Sequence, residues 1–80
     1  MSNAVALPDH WCMQLNNYLQ ERGERDTMTW EIYKTGPQHR LIWHAIVYVR
    51  SSQYGRHSAR TRAAAKEGAA RQAFFALLDT

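Results

Sequence analysis

The sequence predicts an α+β fold, a two-layer sandwich in the order α-β-β-β-α with a three-stranded antiparallel sheet and two helices packed on one face. Three observations predict it. Apolar residues recur at helical spacing near both ends of the chain, and β-branched and aromatic runs fill the middle. The connectors between those central runs are too short for a crossover, so neighbouring strands must be antiparallel.

Residues 1–7 read as a flexible N-terminal arm and residues 8–80 as the domain. Pro8-Asp9 can open a helix, because proline suits the first turn and an acid suits its positive end. Trp11, Leu15, Tyr18 and Leu19 then repeat at i, i+4, i+7 and i+8, an amphipathic pattern that Arg22-Gly23 stops. Glu24–Thr27 is a polar connector. Met28–Lys34 reads as a strand, Gly36-Pro37 breaks it, and Leu41–Arg50 resumes as a long strand of Ile, Val, Trp and Tyr. Ser51-Ser52-Gln53 is a short polar turn, followed by a weaker third strand through Tyr54–Ala59. Thr61 offers an N-cap side chain to a helix over Arg62–Leu78. Ala65, Ala69, Ala73 and Leu77 form one stripe of that helix, with Ala70 and Phe74 beside it, small enough to let it approach a sheet closely.

Eighty residues allow one small core and leave no room for a deep catalytic cleft on a separate scaffold. The formal charge of +3 is unevenly spread: residues 1–39 hold three Lys/Arg and five acids, whereas residues 40–80 hold seven Lys/Arg and two acids. A basic half of this kind suits a polyanion, since each neutralised phosphate releases condensed counterions. A single cysteine, Cys12, rules out an internal disulfide and a cysteine-based zinc site, and His39 with His44 would need further ligands to hold a metal. No metal and no cofactor are therefore expected. Nothing approaches membrane-spanning length and the start is not signal-like, so cytoplasm or nucleus is expected.

Three separated stretches resemble the double-stranded RNA-binding domains. The first helix reads Cys12-Met-Gln-Leu-Asn-Asn-Tyr-Leu-Gln20, near the family's leucine-asparagine-glutamate helix. The loop reads Gly36-Pro37-Gln38-His39, with the aromatic Trp43 four residues on. The last helix opens Arg62-Ala-Ala-Ala-Lys66-Glu-Gly-Ala69-Ala70, against a family pattern of two cations, a spacer, alanine and lysine, then paired alanines. Together, in order and over nearly the whole chain, they are specific. The chain departs from the pattern at Ala63, where the second lysine belongs, and at Asn17, where the glutamate belongs. It is also about one residue short between Trp30 and Gly36. These departures bear on affinity more than on fold.

The resemblance implies sequence-tolerant binding of double-stranded RNA, in RNA silencing or RNA processing, without catalysis. A-form RNA hides its base edges in a deep, narrow groove and displays 2′-hydroxyls along a shallow one, so a reader of the duplex spans two minor grooves and the phosphates between them, roughly 16 base pairs. Three contact regions are expected. Met13 and Asn17 lie one turn apart, off the core stripe, and by resemblance enter one minor groove. Pro37, Gln38 and His39 form a stiffened loop for the second, with His39 reaching a 2′-hydroxyl. Arg62, Ala63 and Lys66 stand at the start of the last helix, where phosphates belong, with Arg60 and Arg56 nearby to compensate for Ala63. Cations at a helix N-terminus disfavour folding slightly, so their placement there points to a ligand. Tyr18, Trp30 and Trp43 fit core positions better than stacking platforms for single strands. Ser58 beside His57 lacks a third orienting residue for nucleophilic catalysis.

The long central strand carries a second expectation. If Trp43, Ala45, Val47 and Val49 face the helices, then Ile42, His44, Ile46 and Tyr48 face away, where an open antiparallel sheet is normally polar. Such a patch suits a homodimer or another protein partner. The alternative function is accordingly a protein-interaction or dimerisation module of the same fold with weak or no RNA binding, for which Ala63, Asn17 and this face argue.

Overall fold

The computed structural model describes residues 10–79, so the arm at 1–7 and the Pro8-Asp9 helix opening fall outside the described residues. Helix α1 spans Trp11–Glu21 and buries Leu15 and Leu19. It ends where Gly23 takes φ 70°. There the amide of Gly23 donates to the Gln20 carbonyl and that of Glu24 to the Leu19 carbonyl, the paired bonds that satisfy a helix's last carbonyls. The expected connector is itself ordered, as a 3₁₀ turn over Arg25–Thr27.

Strands β1 (Met28–Thr35), β2 (Ile42–Val49) and β3 (Ser52–Ala59) form one antiparallel sheet in that order. The β2–β3 turn differs from expectation. It is Arg50-Ser51 alone, both with positive φ (52° and 68°), while Ser52 and Gln53 already pair with Val49 and Tyr48. A two-residue turn with left-handed backbone matches the right-handed twist of the flanking strands, which outweighs the cost of placing non-glycine residues there. Arg50 is also tied down, its amide donating to the Thr27 carbonyl at 3.0 Å and its guanidinium lying 2.8 Å from Glu24. Strand β3 is consequently as long as β2 rather than a weak remnant. Its register slips between Gly55 and Gln53, leaving Tyr54 as the extra residue of a bulge.

Helix α2 spans Arg62–Leu78, with the Thr61 hydroxyl accepting from the Ala64 amide at its start. Its stripe of Ala65, Ala69, Ala70, Ala73 and Leu77 is buried against Ala45, Val47 and Val49 of β2 and Leu15 and Leu19 of α1. The small side chains bring α2 so near the sheet that a Cβ on Gly55 would run into the Ala69 carbonyl oxygen. Both helices thus lie on one sheet face.

A carboxylate joins the helices. Glu67 Oε1 accepts from the backbone amides of Trp11 (2.6 Å) and Cys12 (3.2 Å), serving from α2 as an N-terminal cap for α1. Burial, followed by hydrogen bonding to Glu67, pushes the Cys12 thiol up from 9.0 to about 11, with Lys66 partly opposing. Cys12 therefore keeps its proton where an unfolded chain would lose it, and its contribution to stability falls as pH rises from about 9 towards 11. At pH 8 a disulfide reagent should label Cys12 at least about tenfold more slowly in the folded protein than in denaturant. Equal rates would show that Glu67 and burial do not shield the thiol.

Candidate nucleic-acid interface

The sheet register sets two candidate regions side by side. Thr35 pairs with Ile42 at the mouth of the β1–β2 loop, and Trp43 pairs with Ala59 at the end of β3, so that loop and the β3–α2 junction share one end of the sheet. A groove of about 600 Å³ between them is lined by His39, Arg40, Ile42 and Arg60. The loop is tightly wound. Gly36 has φ 94°, and a Cβ there would sit 2.7 Å from the Arg40 carbonyl oxygen. After extended Pro37, Gln38–Arg40 form a 3₁₀ turn closed by the Arg40 amide on the Pro37 carbonyl at 2.8 Å. Pro37, Gln38 and His39 are all exposed, as an RNA-facing loop requires.

At the start of α2, Arg60, Arg62 and Ala63 are exposed and no acid occupies the first turn. The amides of the first two helical positions have no acceptor within the helix, so Arg62 and Ala63 present backbone donors beside the Arg62 guanidinium. Lys66 is only half exposed. Its ammonium leans across to β1 and lies 5.1 Å from the centre of the Trp30 ring. Lys34 stands similarly over Trp43, at 5.4 Å. Trp30 and Trp43 are partly buried against the core, as their spacing predicts, and each seats a lysine on its open side. Among the described residues the ion pairs are Arg22 with Glu24 and Arg50 with Glu24, which leaves Arg40, Arg60, Arg62 and Lys66 without a carboxylate partner.

Met13, 53% exposed, and Asn17, also exposed, project from α1 one turn apart. Through Cys12, which feels the charges of both Lys66 and Glu67, the start of α1 adjoins the second turn of α2. No hydrogen bond, ion pair or ring contact links Met13 or Asn17 to the β1–β2 loop among the described residues. Sequence reasoning missed Arg40, Lys34 and the Glu67 cap. Arg40 directly follows the loop motif in the chain and was legible as a cation there; the cap was not, because 55 residues separate its partners.

The outer sheet face requires a correction. Ile42, His44, Ile46 and Tyr48 belong to the side away from the core cluster, but Ile46 is only 6% exposed and so is no part of an open apolar patch. Glu31 and Arg56 flank it across the register, and the Tyr48 hydroxyl donates to Glu31 at 3.0 Å, raising the Tyr48 pKa. His44 is occupied on both ring nitrogens, with Thr35 Oγ1 at 2.8 Å and Ser58 Oγ at 2.7 Å, and Tyr33 stacks over it. Ser58 thus serves His44 across the strands rather than its neighbour His57. Hydrogen bonds thus tie His44 and Tyr48 of this face to Thr35, Ser58 and Glu31.

Comparison with known proteins follows the same lines. The family described as double-stranded RNA binding motif matches residues 11–77. Among solved structures, the first dsRBD of protein HYL1, a subject of backbone chemical-shift assignment, is 28% identical, with a TM-score of 0.71 over 82% of this chain and 93% of that one. No curated protein matches. Among the described residues, no helix is long and apolar enough to cross a membrane.

Proposed function

The chain belongs to the double-stranded RNA binding motif family, and from that premise we propose that it grips duplex RNA by shape and backbone contacts, without strong sequence preference and without chemistry. The observation that carries this reading is the groove joining His39 and Arg40 of the loop to Arg60, directly before the basic start of α2. A minor-groove probe and a phosphate-binding helix start set at one end of a rigid sheet suit the alternation of shallow groove and phosphate ridge along an A-form duplex. In this reading Met13 and Asn17 enter the neighbouring minor groove. Pro37, Gln38 and His39 enter the other, where His39 meets a 2′-hydroxyl. Arg60, Arg62, Lys66 and the Ala63 amide hold the phosphates between.

The 2′-hydroxyl contacts and groove dimensions should separate RNA from DNA. In parallel titrations at fixed salt, a 20-base-pair RNA should bind at least about tenfold more tightly than the DNA duplex of the same sequence or either single RNA strand. Equal affinity for all three would reduce the interaction to unspecific charge. No binding to any would leave the protein-interaction alternative in its place.

A further inference from the structure

The chain has Ala63 where the family pattern has its second lysine, and two arginines from different elements line one groove at this end of the sheet. Arg40 ends the 3₁₀ turn of the β1–β2 loop, Arg60 joins β3 to α2, and both line the same groove with His39 and Ile42. Both are exposed, and neither has a carboxylate partner among the described residues. Two like charges lining one groove repel each other, and no carboxylate among the described residues pairs with either, so an anion bound between them would be favourable.

The backbone beneath Arg40 is fixed. Gly36 folds over the Arg40 carbonyl with φ 94°, and the Arg40 amide is bonded to Pro37. Arg60 is held between the last pair of β3, Ala59 with Trp43, and the capping residue Thr61. Both backbones are therefore set before any ligand arrives, which lowers the entropic cost of closing on it.

We propose that Arg40 and Arg60 form a two-sided clamp on a single phosphate of the RNA backbone, replacing the contact that a lysine at position 63 would make. The inference rests on the duplex-RNA reading above and adds to it a specific subsite, both of whose arginines stand outside the motif stretches. It ties the minor-groove loop to the phosphate-binding helix, so that one phosphate fixes the spacing of both regions on the duplex.

The test is a double-mutant cycle on the whole chain with a 20-base-pair RNA, each affinity measured across a range of salt. Arg40→Ala and Arg60→Ala are each expected to weaken binding about five- to tenfold. Because they share one phosphate, R40A/R60A should be little worse than either single variant. Its slope of log affinity against log salt should fall by about 0.9, the share of one phosphate, rather than about 1.8. Ala63→Lys added to R40A/R60A should restore most of the lost affinity.

Additive losses with a slope change of about 1.8 would overturn the shared clamp in favour of two independent contacts. Unchanged affinity in R40A/R60A would overturn it outright. If Arg62→Ala with Lys66→Ala still weakened binding about 10- to 100-fold in that case, the duplex-RNA reading would stand without the clamp. If wild type bound no duplex at all, both would fall. Circular dichroism of each variant should match wild type, as expected for two exposed side chains.

Discussion

Replacing Arg62 and Lys66 together by alanine is expected to weaken binding to any RNA duplex about 10- to 100-fold near physiological salt. The slope of log affinity against log salt should fall by about two. Arg62 is exposed at the first position of α2, beside backbone amides with no acceptor in the helix. Lys66 follows one turn later with its ammonium over Trp30. A phosphate at this helix start meets two cations and the positive end of the dipole at once. Because these contacts carry no sequence information, the loss should be nearly the same for unrelated duplexes. Stability should barely change, since a solvent-accessible cation over the open side of a ring is worth only about 0.5–1 kcal/mol and relief of the cations from the dipole offsets part of it. Equal binding by the double variant and the parent would remove the phosphate assignment.

The second large effect falls on folding. Gly55→Ala is expected to destabilise the domain by about 3 kcal/mol or more, read as a loss in the midpoint of thermal or urea unfolding. The added Cβ would meet the Ala69 carbonyl oxygen and press on the Ala73 amide nitrogen, which are helix backbone and cannot rotate aside. Overpacking typically costs about 1–3 kcal/mol where side chains can yield, and here none is available to do so. The bulge at Tyr54, immediately before Gly55, leaves β3 some room to shift, but only by unpairing Gly55 from Val47 near the centre of the sheet. A variant as stable as the parent would show that α2 and β3 are less closely packed than their backbones indicate. An RNA titration on the surviving folded fraction separates this effect from the first, because Gly55 is buried and has no place in the binding surface.

How far the site was legible varies with the distance in sequence over which each feature is built. Arg62 and Lys66 are one turn apart in a helix whose start Thr61 announces, so their common face follows from local geometry. Met13 and Asn17 were legible in the same way, being excluded from the stripe that buries Leu15 and Leu19. The groove that Arg40 and Arg60 both line was not, because it depends on the register of three strands. The outer face misled for a related reason. Alternation put Ile46 on the expected side of the sheet, but its cross-strand neighbours there, Glu31 and Arg56, are set by the register and not by its own strand.

The sequence alone determined the order of the helices and strands, their extent apart from the start of β3, and which residues of each face the core. Helical spacing in Trp11–Glu21, the alanine stripe of Arg62–Leu78 and the short links between strands are local facts, governed by backbone periods that every residue reports. The tertiary structure decided what lies across from what. It turned Glu67 into a cap for a helix 55 residues away, made Gly55 indispensable to a helix in another layer, and brought two arginines to one groove. The physical reason is that periodicity fixes the direction of a side chain relative to its own element. The partner it meets there depends on strand register and on how closely small residues let the layers approach, and both are settled only when the whole chain packs at once.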